Sequence, residues 1–263
     1  MTLAARALDF GFPGRPVGHR VDLEMPAAHI VCLLGPNGSG KTTLLRTLLG
    51  LLPALGGEVA LDERPLHRWR ARERAMRLAY VPQAAESYFD FSVREMVVMG
   101  RMAHRGLFAQ AGRDDEETAA RALERLGIAH LGDRPINRVS GGERQLALIA
   151  RALATEATHL VMDEPTANLD FGNQALILDE IARLRQSGVA VIFSTHHPDH
   201  ALRIADAAML LRAGTIMAAG PTAAIVNSEN LSALYGRPIE VAQVLSADGS
   251  PRRVCIPSGA PLG

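Results

Sequence analysis

Eight residues, Gly35-Pro36-Asn37-Gly38-Ser39-Gly40-Lys41-Thr42, fit the spacing G-x-x-x-x-G-K-[ST], and the chemistry that spacing supports is phosphate binding. Its glycines let backbone N–H groups close around phosphate oxygens at the start of a helix, where unpaired amides and the helix dipole favour an anion. Lys41 is expected to meet the β- and γ-phosphates, and the Thr42 hydroxyl to hold Mg²⁺. A second glycine-rich stretch, Ser140-Gly141-Gly142-Glu143, can be read in two ways. Ser140 and Glu143 form a capping box, and Leu146, Ile149, Ala150 and Leu153 behind them share one helix face, which suits an ordinary helix start. The adjacent glycines, however, expose backbone N–H groups and admit a ligand, which a cap does not require. No lysine accompanies them, so the chain carries two anion-binding loops and one complete set of charges.

Asp163 and Glu164 follow the apolar run Leu160-Val161-Met162. They are expected to emerge at the C-terminal end of a buried strand, where ligands bind in α/β sheets. A carboxylate at Asp163 can hold Mg²⁺. Side chains alternate along a strand, so Glu164 points elsewhere and is suited to polarise an attacking water.

The elements that must position these groups follow from hydrophobic patterning. "HIVCLLG" from His29 runs into the glycine-rich loop and "TTLLRTLLGLL" continues as helix, a strand-loop-helix setting. "HLVMDE" and "VAVIFST" read as two more buried strands. Between them lies a helix with Leu176, Ile177, Ile181 and Leu184 on its apolar face and a stop at Gly188. Apolar strands alternating with helices predict an α/β fold with a largely parallel sheet. A helical insertion is expected over about 84–153, opened by the capping box Ser92–Glu95 and continued by an acid-led helix ending at Gly127. Beyond Pro221 the pattern becomes a short appendage over 222–263, with a helix around "SENLSALYG" and a hairpin turning at Asp248-Gly249.

Lys+Arg and Asp+Glu number 28 each, so no overall basic field points to nucleic acid. No apolar run approaches the ~20 residues that span a bilayer, and the N-terminus lacks a basic-then-apolar leader, which predicts a cytoplasmic chain. Cys32 and Cys255 stand alone without a CxxC partner and read as reduced thiols. His196, His197, Asp199 and His200 mimic a metal cluster, but a core histidine set is the favoured reading.

In order and over nearly the whole chain, the sequence resembles the ATP-binding subunits of ABC transporters. The resemblance rests on Walker A at "GPNGSGKT", a glutamine loop at Gln83 in "YVPQ", the signature "VSGGE", Walker B ending "LVMDE", a D-loop "ANLD" and a switch histidine in "STHHP". It implies a P-loop NTPase core at 1–221 that includes an antiparallel β region and the helical subdomain, with ATP and Mg²⁺ as ligands. The nucleotide residues it implies are Gly35 to Thr43, Asp170 and the signature Ser140 to Glu143. Gln83 would contact Mg²⁺ or water, and His196 would sense the γ-phosphate. Phe12 stands where the family usually has a tyrosine stacking on adenine, and a core aromatic is the competing reading.

The same resemblance implies a head-to-tail homodimer in which each signature closes on the ATP held by the other chain. It also implies a separate membrane permease and, indirectly, a periplasmic or surface solute-binding protein, which would place the chain peripherally on the cytoplasmic face of the inner membrane. The segment "FDFSVREMVVMGR" is similar to importers of iron-siderophores, haem, cobalamin and related metal-bearing solutes, including some molybdate or tungstate systems. Residues at about 84–106 are accordingly expected to dock the permease, with Arg94 and Arg101 as charges on that surface. A soluble cluster-assembly ATPase is the alternative that chain layout leaves open.

Overall fold

The computed structural model describes residues 2–83, 90–105 and 110–258. The chain opens with β1 (Thr2–Phe12) and β2 (Arg15–Pro26), an antiparallel hairpin that buries alternate residues. Leu3 lies opposite Met25, Ala5 opposite Leu23 and Leu8 opposite Val21, so one face of the pair is a continuous apolar surface. β3 (Ile30–Leu34) crosses beneath it, followed by the glycine-rich loop and α1 (Lys41–Leu48). β4 (Gly56–Leu61) returns to pair with β1, and the two-residue β5 (Arg64–Pro65) pairs with β4. After α2 (Ala71–Ala75) comes β6 (Leu78–Val81).

The helical layer comprises α3 (Val93–Val98), a 3₁₀ turn at Met99–His104, α4 (Arg113–Arg125) and α5 (Gly141–Ala154). The expected capping box is present on α3: the Ser92 hydroxyl accepts from the Glu95 amide, and the Glu95 carboxylate accepts from the Ser92 amide. α4 stops before Gly127, whose φ of 70° is left-handed. The chain then runs through β7 (His159–Met162), α6 (Phe171–Gln186), β8 (Ala190–Thr195), α7 (Pro198–Ile204), β9 (Ala207–Arg212) and β10 (Thr215–Pro221). α8 (Thr222–Ile225), α9 (Ser228–Tyr235) and the hairpin β11 (Ile239–Leu245) and β12 (Pro251–Pro257) complete it.

The central sheet has the order β10-β9-β3-β8-β7-β6. All its pairs are parallel except β10 with β9, as the unbroken apolar runs predict for strands covered on both faces. β3 shows why those runs lack alternation. Ile30, Cys32 and Leu34 enter the core shared with the helices, while Val31 and Leu33 enter the core under the antiparallel sheet. α5 is buried around more of its circumference than one apolar stripe requires, because it packs on α3 and α4 as well as β6. The chain beyond Pro221 is tied into the same core: Val226 and Leu231 are fully buried with the helical-side residues.

Candidate functional site

Because β3 ends at Leu34, Gly35 falls at the carboxyl edge of the sheet, with the Gly35 amide donating to the Thr195 carbonyl of the next strand at 3.3 Å. Gly40 takes φ 103°, and a Cβ there would lie 2.9 Å from a Val17 methyl carbon. Only glycine fits that turn, which leads directly into the first turn of α1, where a helix leaves its amides without intrahelical partners. Lys41 is 5% exposed. Its ammonium donates to the Gly35 carbonyl at 2.8 Å and the Pro36 carbonyl at 3.1 Å, and it lies 3.4 Å from Glu164 Oε1.

β7 ends at Met162, so Asp163 and Glu164 lie past the strand, and their carboxylates diverge through a backbone turn at Glu164, where strand alternation was the expectation. Asp163 is 2% exposed, and its Oδ1 accepts from the Ser194 hydroxyl at 2.7 Å. The same Ser194 oxygen accepts the Glu164 amide at 2.9 Å, so one hydroxyl on β8 holds both residues. Glu164 has a left-handed φ of 46°, an unfavourable conformation for a residue with a Cβ. Its Oε2 lies 3.0 Å from His196 Nδ1. With Nδ1 donating to the carboxylate, the Nε2 edge of His196 is left for another partner.

Lys41, Thr42, Thr43, Gln83, Glu164 and His196 line one cleft of about 660 Å³, together with Asn37, Gly38 and Gly40. Ala167 and Asn168 of the D-loop line it as well, and Val17, Thr166 and Gln174, also in its lining, were missed at the level of sequence. Ser194 was missed too. Its available signal was a hydroxyl at the end of an otherwise apolar strand, beside the two carboxylates in space but not in sequence.

Gly35, Pro36 and Ser39 support the loop from behind: the Ser39 amide donates to the Pro36 carbonyl, and the Ser39 carbonyl accepts from Gly214. Phe12 stands at the end of β1, 45% exposed, and is not among the cleft residues.

The second glycine-rich stretch is not among the residues that line this cleft. Ser140 caps α5, accepting the Glu143 amide at 3.2 Å while its own amide donates to Glu143 Oε2 at 2.8 Å. These bonds, led by that from the Ser140 backbone, hold the Glu143 carboxyl below its ordinary value. A Cβ on Gly141 would meet nothing within 4 Å, whereas one on Gly142 would lie 3.3 Å from the Leu169 side chain. Gly142 therefore packs against the segment that leads to Asp170. Asp170 in turn caps α6 by accepting the Asn173 amide at 2.8 Å.

The family model described as ABC transporter matches residues 19–167, a span that contains the phosphate loop, the capped glycine pair and both carboxylates. The chain belongs to the ABC transporter family. It is 40% identical over 90% of its length to the hemin import ATP-binding protein HmuV of Streptomyces coelicolor, covering 84% of that protein. It is 36% identical over 89% of its length to the ferric enterobactin transport ATP-binding protein FepC of Escherichia coli, covering 87% of it. A solved metal-chelate type ABC transporter in an inward-facing conformation superposes with a TM-score of 0.88 at 33% identity, with 99% of both chains covered. The ABC ATPase fold, ATP binding, and ATPase activity coupled to transport follow from this membership. The cluster-assembly alternative is not favoured.

Among the described residues, no group of three or more histidine, cysteine or acidic side chains could hold a metal. The His197 and His200 rings lie 5.1 Å apart, tilted by 49°, and burial pushes His200 down to about 4. Both cysteines are free thiols, and burial pushes Cys32 well up. No described helix is long and apolar enough to cross a membrane. Residues 84–89 and 106 of the expected docking segment, and 259–263 of the appendage, lie outside the described residues.

Within the docking segment Arg94 and Arg101 differ. Arg94 is half-exposed beside Asp133. Arg101 is only 12% exposed at its side chain, bound to Asp115 at 3.1 Å and Glu156 at 2.7 Å. The expectation of a surface charge at Arg101 is corrected: it is an internal tie between the 3₁₀ turn, α4 and the end of α5, which its three-way donor fork can satisfy.

Proposed function

We propose that this chain binds Mg²⁺–ATP between its phosphate loop and the Asp163–Glu164 pair and hydrolyses it to drive import of an iron-bearing chelate through a separate permease. The single observation that carries the chemistry is Glu164, whose two carboxylate oxygens lie 3.4 Å from the Lys41 ammonium and 3.0 Å from the His196 imidazole in the same cleft. In this reading the loop amides from Gly35 to Thr43 bind the phosphates, and Lys41 meets their β/γ oxygens. A triphosphate gives Lys41 stronger acceptors than the two carbonyls it now holds, which leaves Glu164 to take a proton from water. His196 faces the γ-phosphate through Nε2, and Phe12 is assigned to the adenine.

The donors for Mg²⁺ are hard oxygens: the Thr42 hydroxyl, the Asp163 carboxylate and the Gln83 amide. Asp163 is a buried carboxylate whose hydrogen-bond partner is a neutral hydroxyl, a setting that a divalent cation improves. A single acid fits Mg²⁺, which is bound by one or two carboxylates plus substrate phosphates and not by an all-protein cage. When bound, the ion would neutralise charge on the transferred phosphoryl group.

The signature Ser140 to Glu143 lies outside the chain's own cleft, which supports its use on the nucleotide of a second copy, with Asp170 at the same junction. A groove of about 680 Å³ between α2 and α3, lined by Arg72, Ala75, Arg94, Val98, Met99 and Met102, is the permease surface in this reading. Methionines suit an apolar helix partner. A permease partner places the chain at the cytoplasmic face of the inner membrane, with a solute-binding protein across it. The hemin and ferric-siderophore names of the relatives favour an iron chelate over cobalamin or an oxyanion.

The test is reconstitution with the chain's own permease in vesicles. ATP turnover should rise when a binding protein loaded with hemin or a ferric siderophore is added. Stimulation by loaded cobalamin or molybdate carriers alone would refute the solute class.

A further inference from the structure

His196 lies in the two-residue turn between β8 and α7, and its neighbours are tied on several sides. The His197 amide donates to Thr195 Oγ1 at 3.1 Å. The Thr195 and Thr166 hydroxyls lie 3.3 and 3.4 Å from His200 Nδ1. The carbonyl of His196 itself is held from much further along the chain: Tyr235, the last residue of α9, donates its phenolic hydroxyl to it at 2.8 Å.

The helix behind this bond is buried on one side and capped at both ends. Leu231 and Leu234 of α9 are buried, at 0% and 1% exposure. The helix is capped at one end by Asn227, which accepts the Asn230 amide at 2.8 Å, and ended by Gly236 at φ 67°. Ser232 exchanges hydrogen bonds with Ile239 at the start of β11. A second tie runs from the same appendage, where the Cys255 amide on β12 donates to Asp199 Oδ1 at 2.8 Å in the first turn of α7. Burial raises the Tyr235 phenol well above its ordinary value, so it remains a donor across the physiological range.

We propose that Tyr235 is a positioning residue for ATP hydrolysis, its hydroxyl fixing the peptide plane after His196 so that the imidazole meets Glu164 and presents Nε2 to the cleft. The inference rests on the reading of His196 as the phosphate-facing histidine. The physical basis is short-range. Holding the carbonyl oxygen fixes ψ of His196, and the side chain is rooted on the same Cα. A carbonyl free to turn would let the ring swing off a 3.0 Å contact whose strength falls steeply with misalignment. The C-terminal appendage thus acts on the catalytic cleft through one hydroxyl.

The test uses the full chain with Mg²⁺ and ATP. Tyr235→Phe should lower kcat by roughly three- to tenfold, the scale of one lost hydrogen bond, with KM for ATP within about twofold because the phosphate loop is untouched. With histidine rings isotope-labelled, the His196 NMR signal should shift in Tyr235→Phe while that of the remote His67 stays in place. Leu234→Ala serves as the packing control: it opens a cavity in the same helix but keeps the hydroxyl, so it should lower the melting temperature without a matching loss of kcat.

Three outcomes would overturn the assignment: an unchanged kcat in Tyr235→Phe, an unmoved His196 signal, or an equal loss of kcat in Leu234→Ala. His196→Ala separates the two levels. If it turns over ATP at the wild-type rate, the reading of His196 fails and the positioning role goes with it. If it is inactive while Tyr235→Phe is normal, only the positioning role fails.

Discussion

Glu164 occupies a left-handed backbone position, φ 46°, that costs a residue with a Cβ of order 1–3 kcal/mol. Its amide is held by Ser194, its carboxylate by Lys41 and His196, and those bonds keep it there. Glu164→Gln keeps the shape but removes the proposed base, so ATP turnover should drop by about 10²-fold or more while nucleotide affinity stays near wild type in equilibrium titration. Lys41→Ala should instead weaken binding itself. Ser194→Ala removes the one hydroxyl shared by Asp163 and Glu164. It should cost about 10- to 100-fold in Mg²⁺-dependent turnover, the usual effect of losing a residue that orients a metal ligand. A Mg²⁺ titration of steady-state rate would show it, and an unchanged rate would refute the role.

At the scale of elements, the N-terminus of α5 and the loop before α1 carry matching chemistry but do not share a cleft. The two-chain reading predicts rescue. A Lys41→Ala chain and a Gly141→Asp chain should each be nearly inactive as homodimers. Mixed, they should regain ATPase activity, because one of the two composite sites then carries neither defect. Activity in the mixture no greater than in either parent, with ATP-dependent dimers confirmed by sedimentation, would count against it.

The helical layer allows a second contrast. Arg94→Glu alters the exposed groove and should reduce permease-coupled turnover several-fold while leaving isolated ATPase activity intact. Arg101→Glu reverses a charge placed between Asp115 and Glu156, and should lower thermal stability by about 3 kcal/mol or more.

For the molecule as a whole, two buried histidines link stability to pH. His159 has no exposed surface, its Nδ1 lies 3.0 Å from Thr158 Oγ1, and burial pushes it from 6.5 down to about 4. His200 is lowered to about 4 by the same cause. A histidine with a depressed folded value is neutral in the fold, while the unfolded chain takes up a proton first. The stability it allows is therefore complete above pH 6.5 and is lost as pH falls towards 4. At pH 5 the loss at His159 alone is about 2 kcal/mol. Denaturant midpoints should fall steadily between pH 7 and pH 5, and His159→Gln should flatten that slope. A midpoint independent of pH across this window would contradict the neutral buried state.

The sequence by itself determined whatever depends on residue type at short spacing. The phosphate loop needs Gly40 for its turn and Lys41 for its charge. The capping boxes need Ser92 with Glu95 and Ser140 with Glu143, and the parallel strands need unbroken apolar runs. Family resemblance extended this to the glutamine loop, the D-loop and His196, and to an ABC ATPase. Tertiary structure alone decided what depends on residues distant in sequence arriving at one point. It brought Ser194 under both carboxylates and Val17 against Gly40, buried Arg101 between two acids, and set Tyr235 on the carbonyl of His196. Local periodicity is set by backbone geometry and recurs within a few residues, so it can be read along the chain. A hydrogen bond between residues 39 apart in sequence exists only because one core, shared by Leu231 and Leu234 of α9 with Ala201 of α7 and Phe193 of β8, brings these elements together, and no local pattern encodes that distance.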